Sequence, residues 1–269
     1  MLNKITNHIY IFLQRVYRKL YRIFGKYLRI KDIDINRQSD EFIKLGLDRS
    51  KGLDLLNSIL QLELNKKFDE SDGMFSEHLV LLAAIAIKIN NIKSILEIGT
   101  YDGKTALILC KLFPNAEITT IDLPESTDAY SSTYNRSHNI ENFVKLRNKY
   151  ISTNKKISFL QMNSISLCNE NEREFDLIWI DGAHGYPVIA MDIINAFRLC
   201  SKNGYILIDD VWKKLNISDK YYKSIGAFES LLELKEAMLI KEFHLIPKRL
   251  GLKFNYPWEK KFIGLINKK

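Results

Sequence analysis

Three acids of this chain each follow a short apolar run: Asp181 within Trp179-Ile180-Asp181-Gly182-Ala183-His184, and Asp209 and Asp210 within Ile206-Leu207-Ile208-Asp209-Asp210. If both runs are strands of one parallel sheet, the three carboxylates meet at its C-terminal edge. There their mutual repulsion calls for a cation between them. A hard divalent ion held by oxygen is the simplest remedy, and carboxylates without a thiolate or imidazole cluster favour Mg2+. The structural alternative has Asp209 capping a helix and Asp210 merely exposed. His184, three positions after Asp181, has the chemistry to accept a proton from a reacting hydroxyl, or only to pack against and orient an acid.

A second constellation is Glu97-Ile98-Gly99-Thr100-Tyr101-Asp102-Gly103-Lys104-Thr105. Two glycines four apart at a strand-to-helix turn let backbone approach a ligand closely and leave helix N-terminal amides facing it. The spacing is E-x-G-x-x-x-G, not the G-x-G-x-x-G that seats a dinucleotide pyrophosphate, and this counts against an NAD(P)-binding oxidoreductase. Asp122, about 25 residues on, ends another apolar run and has the reach to accept hydrogen bonds from both ribose hydroxyls of an adenosine cofactor. The plainer reading is a solvated acid at a strand end. Asn163 and Ser164 follow a third run, placed to meet an adenine edge or simply to make a turn.

The elements that must position these groups follow from periodicity. Apolar runs at 94–98, 117–121, 157–161, 177–180 and 205–208 alternate with helical stretches, the sequence form of a parallel sheet covered on both faces. Runs at 243–246 and 262–266 lie close together and predict an antiparallel pair at one edge. Residues 79–89 read as a buried helix, and 39–68 as a helical stretch capped by Ser39 and Asp40 and interrupted near Gly46 and Gly52. Residues 123–156, carrying Tyr130, Tyr134, Arg136 and His138, form a long excursion of the kind that covers a site.

The set EIGTYDGKT, IDLPE, FDLIWIDGAHGY and NGYILIDDVW resembles the class I S-adenosylmethionine-dependent methyltransferases. Within them it is most similar to the metal-dependent O-methyltransferases, the branch of catechol, caffeoyl-CoA and antibiotic-sugar enzymes. The resemblance spans residues 75 to 269 and implies a doubly wound, mostly parallel seven-stranded sheet. It divides the chain into a basic helical extension, 1–70, and a methyltransferase domain, 71–269. By matching motif, Glu97, Gly99 and Gly103 would line the methionine part of S-adenosylmethionine, with Thr100 and Tyr101 in the same turn, and Asp122 would hold the ribose. Asp181, Asp209 and Asp210 would bind the metal. Many relatives read DGDH where this chain has Ala183, which moves the search for a base to His184, the position where catechol-type members place a lysine. The implied activity is methylation of a hydroxyl on a sugar, glycoconjugate or small diol. Tyr130, Tyr134, Trp212, Tyr221 and Tyr222 supply aromatic surface for the acceptor or simply core. A binding module that keeps the cofactor but has lost turnover is the other reading that Ala183 leaves open.

Charge separates the extension from the rest. The chain has 269 residues, with 40 Lys and Arg against 32 Asp and Glu, a net charge of +8. Eight of the basic residues lie in positions 1–31, which contain no acid, so the remainder is balanced. That distribution argues against a nucleic-acid partner. Apolar positions Ile5, Ile9, Phe12, Leu13, Val16, Leu20, Ile23, Phe24 and Tyr27 recur at helical spacing opposite arginines, a pattern that suits an anionic membrane surface, a second subunit of a homo-oligomer or the domain itself. The longest run free of charged residues, 157–169, is far short of the roughly 20 apolar residues of a spanning helix. Arginines interrupt the apolar positions of any signal peptide. Cys110, Cys168 and Cys200, odd in number and widely spaced, read as buried reduced thiols of a cytoplasmic protein.

Overall fold

The computed structural model describes residues 35–69, 76–133, 136, 139–170, 173–215, 218–248 and 261–268. The basic stretch 1–30, Tyr134 and His138 lie outside these. The chain enters through helices α1 (Ile35–Lys44), α2 (Arg49–Leu64) and α3 (Glu77–Lys88). Then β1 (Ser94–Ile98), α4 (Lys104–Leu112), β2 (Glu117–Asp122), α5 (Asp128–Ser132), α6 (Ile140–Ile151) and β3 (Ile157–Gln161) follow. A 3-10 turn, Ser164–Asn169, leads to β4 (Phe175–Ile180), α7 (Val188–Leu199), β5 (Cys200–Trp212), α8 (Gly226–Glu236), β6 (His244–Pro247) and β7 (Lys261–Asn267).

Seven strands form one sheet in the order β3-β2-β1-β4-β5-β7-β6, with β7 antiparallel to both its neighbours. The other ladders are parallel, so the doubly wound, mostly parallel expectation holds, including the antiparallel pair at one edge. Alternation along the central strands explains the two layers. Ile95, Leu177, Trp179 and Leu207 face a cluster built with α2, α3 and α4, while Leu96, Ile178, Ile180, Ile206 and Ile208 face α7 and α8. Strands buried on both faces read as continuous apolar runs, which is why their positions were legible.

The entry helices differ from expectation in one detail. Ser39 and Asp40 lie inside α1, and the cap that starts α2 is Asp48, whose side chain accepts the Lys51 amide at 3.0 Å. The break falls at Gly46, which takes φ +63°. Gly52 lies within α2, where a Cβ would come 2.8 Å from the Val80 carbonyl, so its role is to let α2 settle onto α3. Leu56 and Leu60 are fully buried in that contact, each stabilising by roughly 1.5–3 kcal/mol. Cys110 and Cys200 are buried as expected, whereas Cys168, on the 3-10 turn, is exposed.

Candidate functional site

The C-terminal ends of β1 and β2 are stitched together by the glycine turn. The Gly99 and Thr100 amides donate to the Ile121 carbonyl at 2.9 and 3.1 Å, and the Tyr101 amide donates to Asp122 Oδ2 at 3.0 Å. Gly99 takes φ +106°, and a Cβ there would fall 2.3 Å from the Asp181 carbonyl oxygen. Only glycine lets the end of β1 lie this close to the end of β4. Gly103, at φ +79°, caps α4. Thr100 shares a 2.6 Å hydrogen bond with Thr120, whose hydroxyl donates to Glu97 Oε2 at 2.5 Å. Burial pushes the Glu97 carboxyl well above its ordinary range, against the pull of Thr120. Its other oxygen, Oε1, is buried without a hydrogen-bond partner, an acceptor suited to a cationic or N–H donor of a ligand.

Asp122 ends β2 with both oxygens engaged. Oδ1 accepts the Leu123 amide at 2.8 Å, and Oδ2 accepts the Arg136 guanidinium at 2.8 Å as well as Tyr101. Burial raises its carboxyl, and Arg136 offsets part of that rise. Arg136 comes from the excursion after β2 and lies 4.2 Å from the Tyr130 ring centroid. Tyr130 is fully buried and accepts from Arg147 at 3.0 Å, which makes it a core residue and removes it from the acceptor surface. Asn163 Oδ1 accepts the Ile165 amide at 3.0 Å, so this side chain makes the turn after β3. The Ser164 carbonyl accepts from Asn195 at 3.4 Å.

At the end of β4, Asp181 Oδ1 lies 3.5 Å from His184 Nε2. Three contacts hold the histidine: its amide donates to the Tyr221 carbonyl at 2.9 Å, its carbonyl accepts the Ser224 hydroxyl at 2.9 Å, and its ring meets Trp212 edge-on at 6.3 Å. Burial, reinforced by the charge of Asp209, pushes the Asp181 carboxyl up to about 7, while His184 draws it down. Burial acts to lower the His184 pKa, but the hydrogen bond its ring donates to Asp181 and the charges of Asp210, Asp181 and Asp209 outweigh it, and the imidazole is raised. This pair can hold or release one proton at the edge of the glycine turn. Tyr222 is exposed and Trp212 buried, on either side of the histidine loop.

The acids of β5 have a cation that sequence reasoning missed. Lys248, just past β6, reaches Asp209 Oδ2 and, at 2.5 Å, Asp210 Oδ1, while Lys261 at the start of β7 pairs with Asp210 Oδ2. Both aspartates face one ammonium because the β5–β7 register shifts between Ile208 and Val211, with Asp210 at φ +51°. Burial opposes their ionisation, but Lys248 outweighs it, so Asp209 is lowered and Asp210 lies well below the ordinary range. Burial would lower Lys248 too, yet Asp209 and Asp210 hold it above its usual value.

These contacts test the expected metal set. Donor atoms of Asp181, His184 and Asp209 lie within 4.8 Å of one another, and Asp209 Oδ1 is buried without a partner. Asp210, however, has both oxygens committed to lysines, and Asp209 shares its second oxygen with an ammonium. A site of Asp181, Asp209 and Asp210 therefore does not fit a divalent ion while Lys248 stays in place.

Asp192, on α7, is a further buried acid that the sequence reading passed over. Neither of its oxygens meets a well-aligned hydrogen-bond donor, and burial pushes it up to about 7, with the nearby Ser164 hydroxyl and then His184 acting in the opposite direction. The signal was there: Ile189, Asp192, Ile193 and Ala196 form one helical stripe, which α7 buries.

Residues 96–211, running from β1 to β5, match the family model of a methyltransferase domain. Comparison with curated protein sequences gives no match. Among solved structures, the chain is similar to an O-methyltransferase from Bacillus cereus in complex with SAH, at 17% identity over 80% of this chain and 91% of that one, with a TM-score of 0.46. It is also similar to the N-methyltransferase NodS from Bradyrhizobium japonicum WM9, at 13% identity over 71% and 94% of the two chains, with a TM-score of 0.47. Among the described residues no helix is long and apolar enough to cross a membrane.

Proposed function

We propose that this chain is an S-adenosylmethionine-dependent methyltransferase that transfers the methyl group to a hydroxyl oxygen. The methyltransferase-domain match supports the reaction class. The observation that carries the oxygen acceptor is the contact between the two halves of the site. Gly99, in the turn proposed to seat the cofactor, abuts the backbone of Asp181, whose carboxylate is paired with His184. A proton acceptor is thereby set beside the place where a cofactor approaches backbone. Oxygen nucleophiles need such a group because a neutral hydroxyl is a weak nucleophile until its proton is taken.

When bound, the cofactor supplies an electrophilic methyl group on a sulfonium. The chain's own residues do the rest. Glu97 Oε1 accepts from the amino end of the ligand, and the Gly99–Gly103 turn lets backbone approach it. Asp122 accepts from the ribose hydroxyls, with Arg136 shifting to admit them. The His184–Asp181 pair takes the proton from the acceptor hydroxyl and holds it between Nε2 and Oδ1, where the carboxylate stabilises the imidazolium. Holding nucleophile, methyl and sulfur in line supplies much of the acceleration. The acceptor proposed is a sugar, glycoconjugate or small diol, approaching past Tyr221 and Tyr222. Residues 1–31 would hold a cytoplasmic protein at an anionic membrane or in a homo-oligomer.

Calorimetry with S-adenosylmethionine against NADH tests the cofactor. Mass spectrometry for a gained CH2 on nucleotide-sugars, lipid-linked glycans and catechols then tests the acceptor. Binding of S-adenosylmethionine with methylation of a hydroxylated acceptor is the expected result. Binding without methylation of any of them would leave a silent cofactor-binding module, and preference for NADH would sink the proposal.

A further inference from the structure

We infer that Lys248 is the resident cation of this site, bridging Asp209 and Asp210 where the resemblance calls for a divalent ion, and that the protein works with every metal removed. The inference rests on the methyl-transfer reading for its activity arm only; the cation assignment stands on geometry.

Lys248 is not a stray surface side chain that happens to reach an acid. Its amide donates to the Lys261 carbonyl at 3.1 Å, and its own carbonyl accepts the Glu77 amide at 3.2 Å. The main chain is thus pinned between the sheet edge and the first turn of α3. From that anchor the side chain runs inward, 11% exposed, to oxygens on two consecutive acids. Lys261 takes the remaining oxygen of Asp210 and lies 4.8 Å from the Trp212 ring centroid, which fixes it on the outer side of the pair.

Charge and coordination both favour the ammonium. Two lysines stand against the three carboxylates of Asp181, Asp209 and Asp210, so with all three ionised the cluster carries one negative charge, next to His184. A Mg2+ ion needs octahedral oxygen ligands at about 2.0–2.1 Å. Three of the four oxygens on Asp209 and Asp210 already accept from ammonium groups. The donors left, on Asp181, His184 and Asp209 Oδ1, would hold such an ion directly beside a buried ammonium, whose charge repels it. The same logic predicts the reverse for a chain without Lys248. Removing one partner of a buried ion pair leaves uncompensated charge, and here that charge sits on oxygens arranged to take a hard cation. Lys248 is a positioning residue: it holds Asp209 and Asp210, and through them the field at Asp181 and His184.

The test uses the full chain, dialysed against chelator and titrated with Mn2+ under electron paramagnetic resonance. S-Adenosylmethionine binding and thermal melting serve as controls for folding. Wild-type protein is expected to take up no stoichiometric Mn2+ at this site and to keep its methyl transfer within about twofold in excess EDTA. Lys248→Met is expected to acquire one Mn2+ site that disappears when Asp209→Asn is added. Lys248→Arg, which keeps the charge, should exclude Mn2+ as the wild type does. One Mn2+ on the wild-type chain, weakened about tenfold or more by Asp209→Asn, would overturn the inference. So would activity lost in EDTA and restored by Mg2+. If Lys248→Met does not fold, the wild-type titration and Lys248→Arg decide alone. Exclusion of Mn2+ by a chain that methylates no acceptor would sink the proposed reaction while leaving the cation assignment intact.

Discussion

The two halves of the C-terminal sheet edge handle buried acids in opposite ways. At β1 and β2, Glu97 is quenched by a threonine hydroxyl, and Asp122 by two backbone amides and Arg136. At β4 and β5, the partners of Asp181, Asp209 and Asp210 are an imidazole and two ammonium groups. The first arrangement is mostly neutral donors on a rigid turn, suited to recognising the shape of a ligand. The second is a compact set of full charges whose balance depends on groups far apart in the chain. In the proposed reaction one half binds and the other holds and moves a proton, and Gly99 is where they touch.

The largest effect should come from disrupting that junction. Gly99→Ala places a methyl 2.3 Å from the Asp181 carbonyl at a φ of +106°, so β1 and β4 must part. The expected cost is about 3 kcal/mol or more, with cofactor binding and turnover lost together, read by thermal melting and calorimetry. Loss of turnover alone would show that the halves are less coupled than the contact implies. Next is His184→Gln, expected to lower kcat by about a hundredfold while leaving S-adenosylmethionine affinity unchanged. A matching loss of affinity would blur the division into binding and proton-handling halves.

Asp192 offers a test through pH. Its folded pKa, pushed up to about 7, lies above the unfolded value, so the native state binds the extra proton and stability falls as pH rises from the unfolded pKa towards 7. Asp192→Asn removes that penalty. It should therefore stabilise the protein at pH 8 by about 2 kcal/mol and make little difference near pH 4, seen as a melting-temperature gain confined to the higher pH. A loss of stability at the higher pH would instead place the carboxylate in a paired, ionised state. The smallest effect expected is from Asp122→Asn, whose one remaining oxygen keeps one of the two backbone amide contacts while the Nδ2 group weakens those to Arg136 and ribose. Cofactor affinity should drop about tenfold with kcat nearly unchanged.

How far the sequence foretold these halves follows from how local each one is. The glycine turn and the strand-end acids are contiguous motifs, and strands buried on both faces are uninterrupted apolar runs, so their positions were open to direct reading. Asp192 could have been read as well, since a lone acid on the apolar stripe of α7 is a buried group by periodicity alone. Lys248 could not. It sits in a stretch with other basic residues, and only the β5-β7-β6 strand order carries it to acids 38 and 39 positions earlier. The repulsion that sequence reasoning assigned to a metal is met, in the inference drawn above, by a non-local lysine. The choice for Tyr130 between acceptor surface and core was open in the sequence for a similar reason, because its burial comes with Arg136 and Arg147 packing against it.

The irregularity in β5 bears on which changes this chain can tolerate. In an unbroken strand, neighbours alternate sides, and Asp209 and Asp210 would look in opposite directions. The shifted register between Ile208 and Val211 turns them into a pincer. Exchange of one residue for another there alters the strength of the grip, whereas losing the single extra residue would return the strand to strict alternation and turn one aspartate to the far face. The length of this segment should therefore be more tightly constrained than its composition.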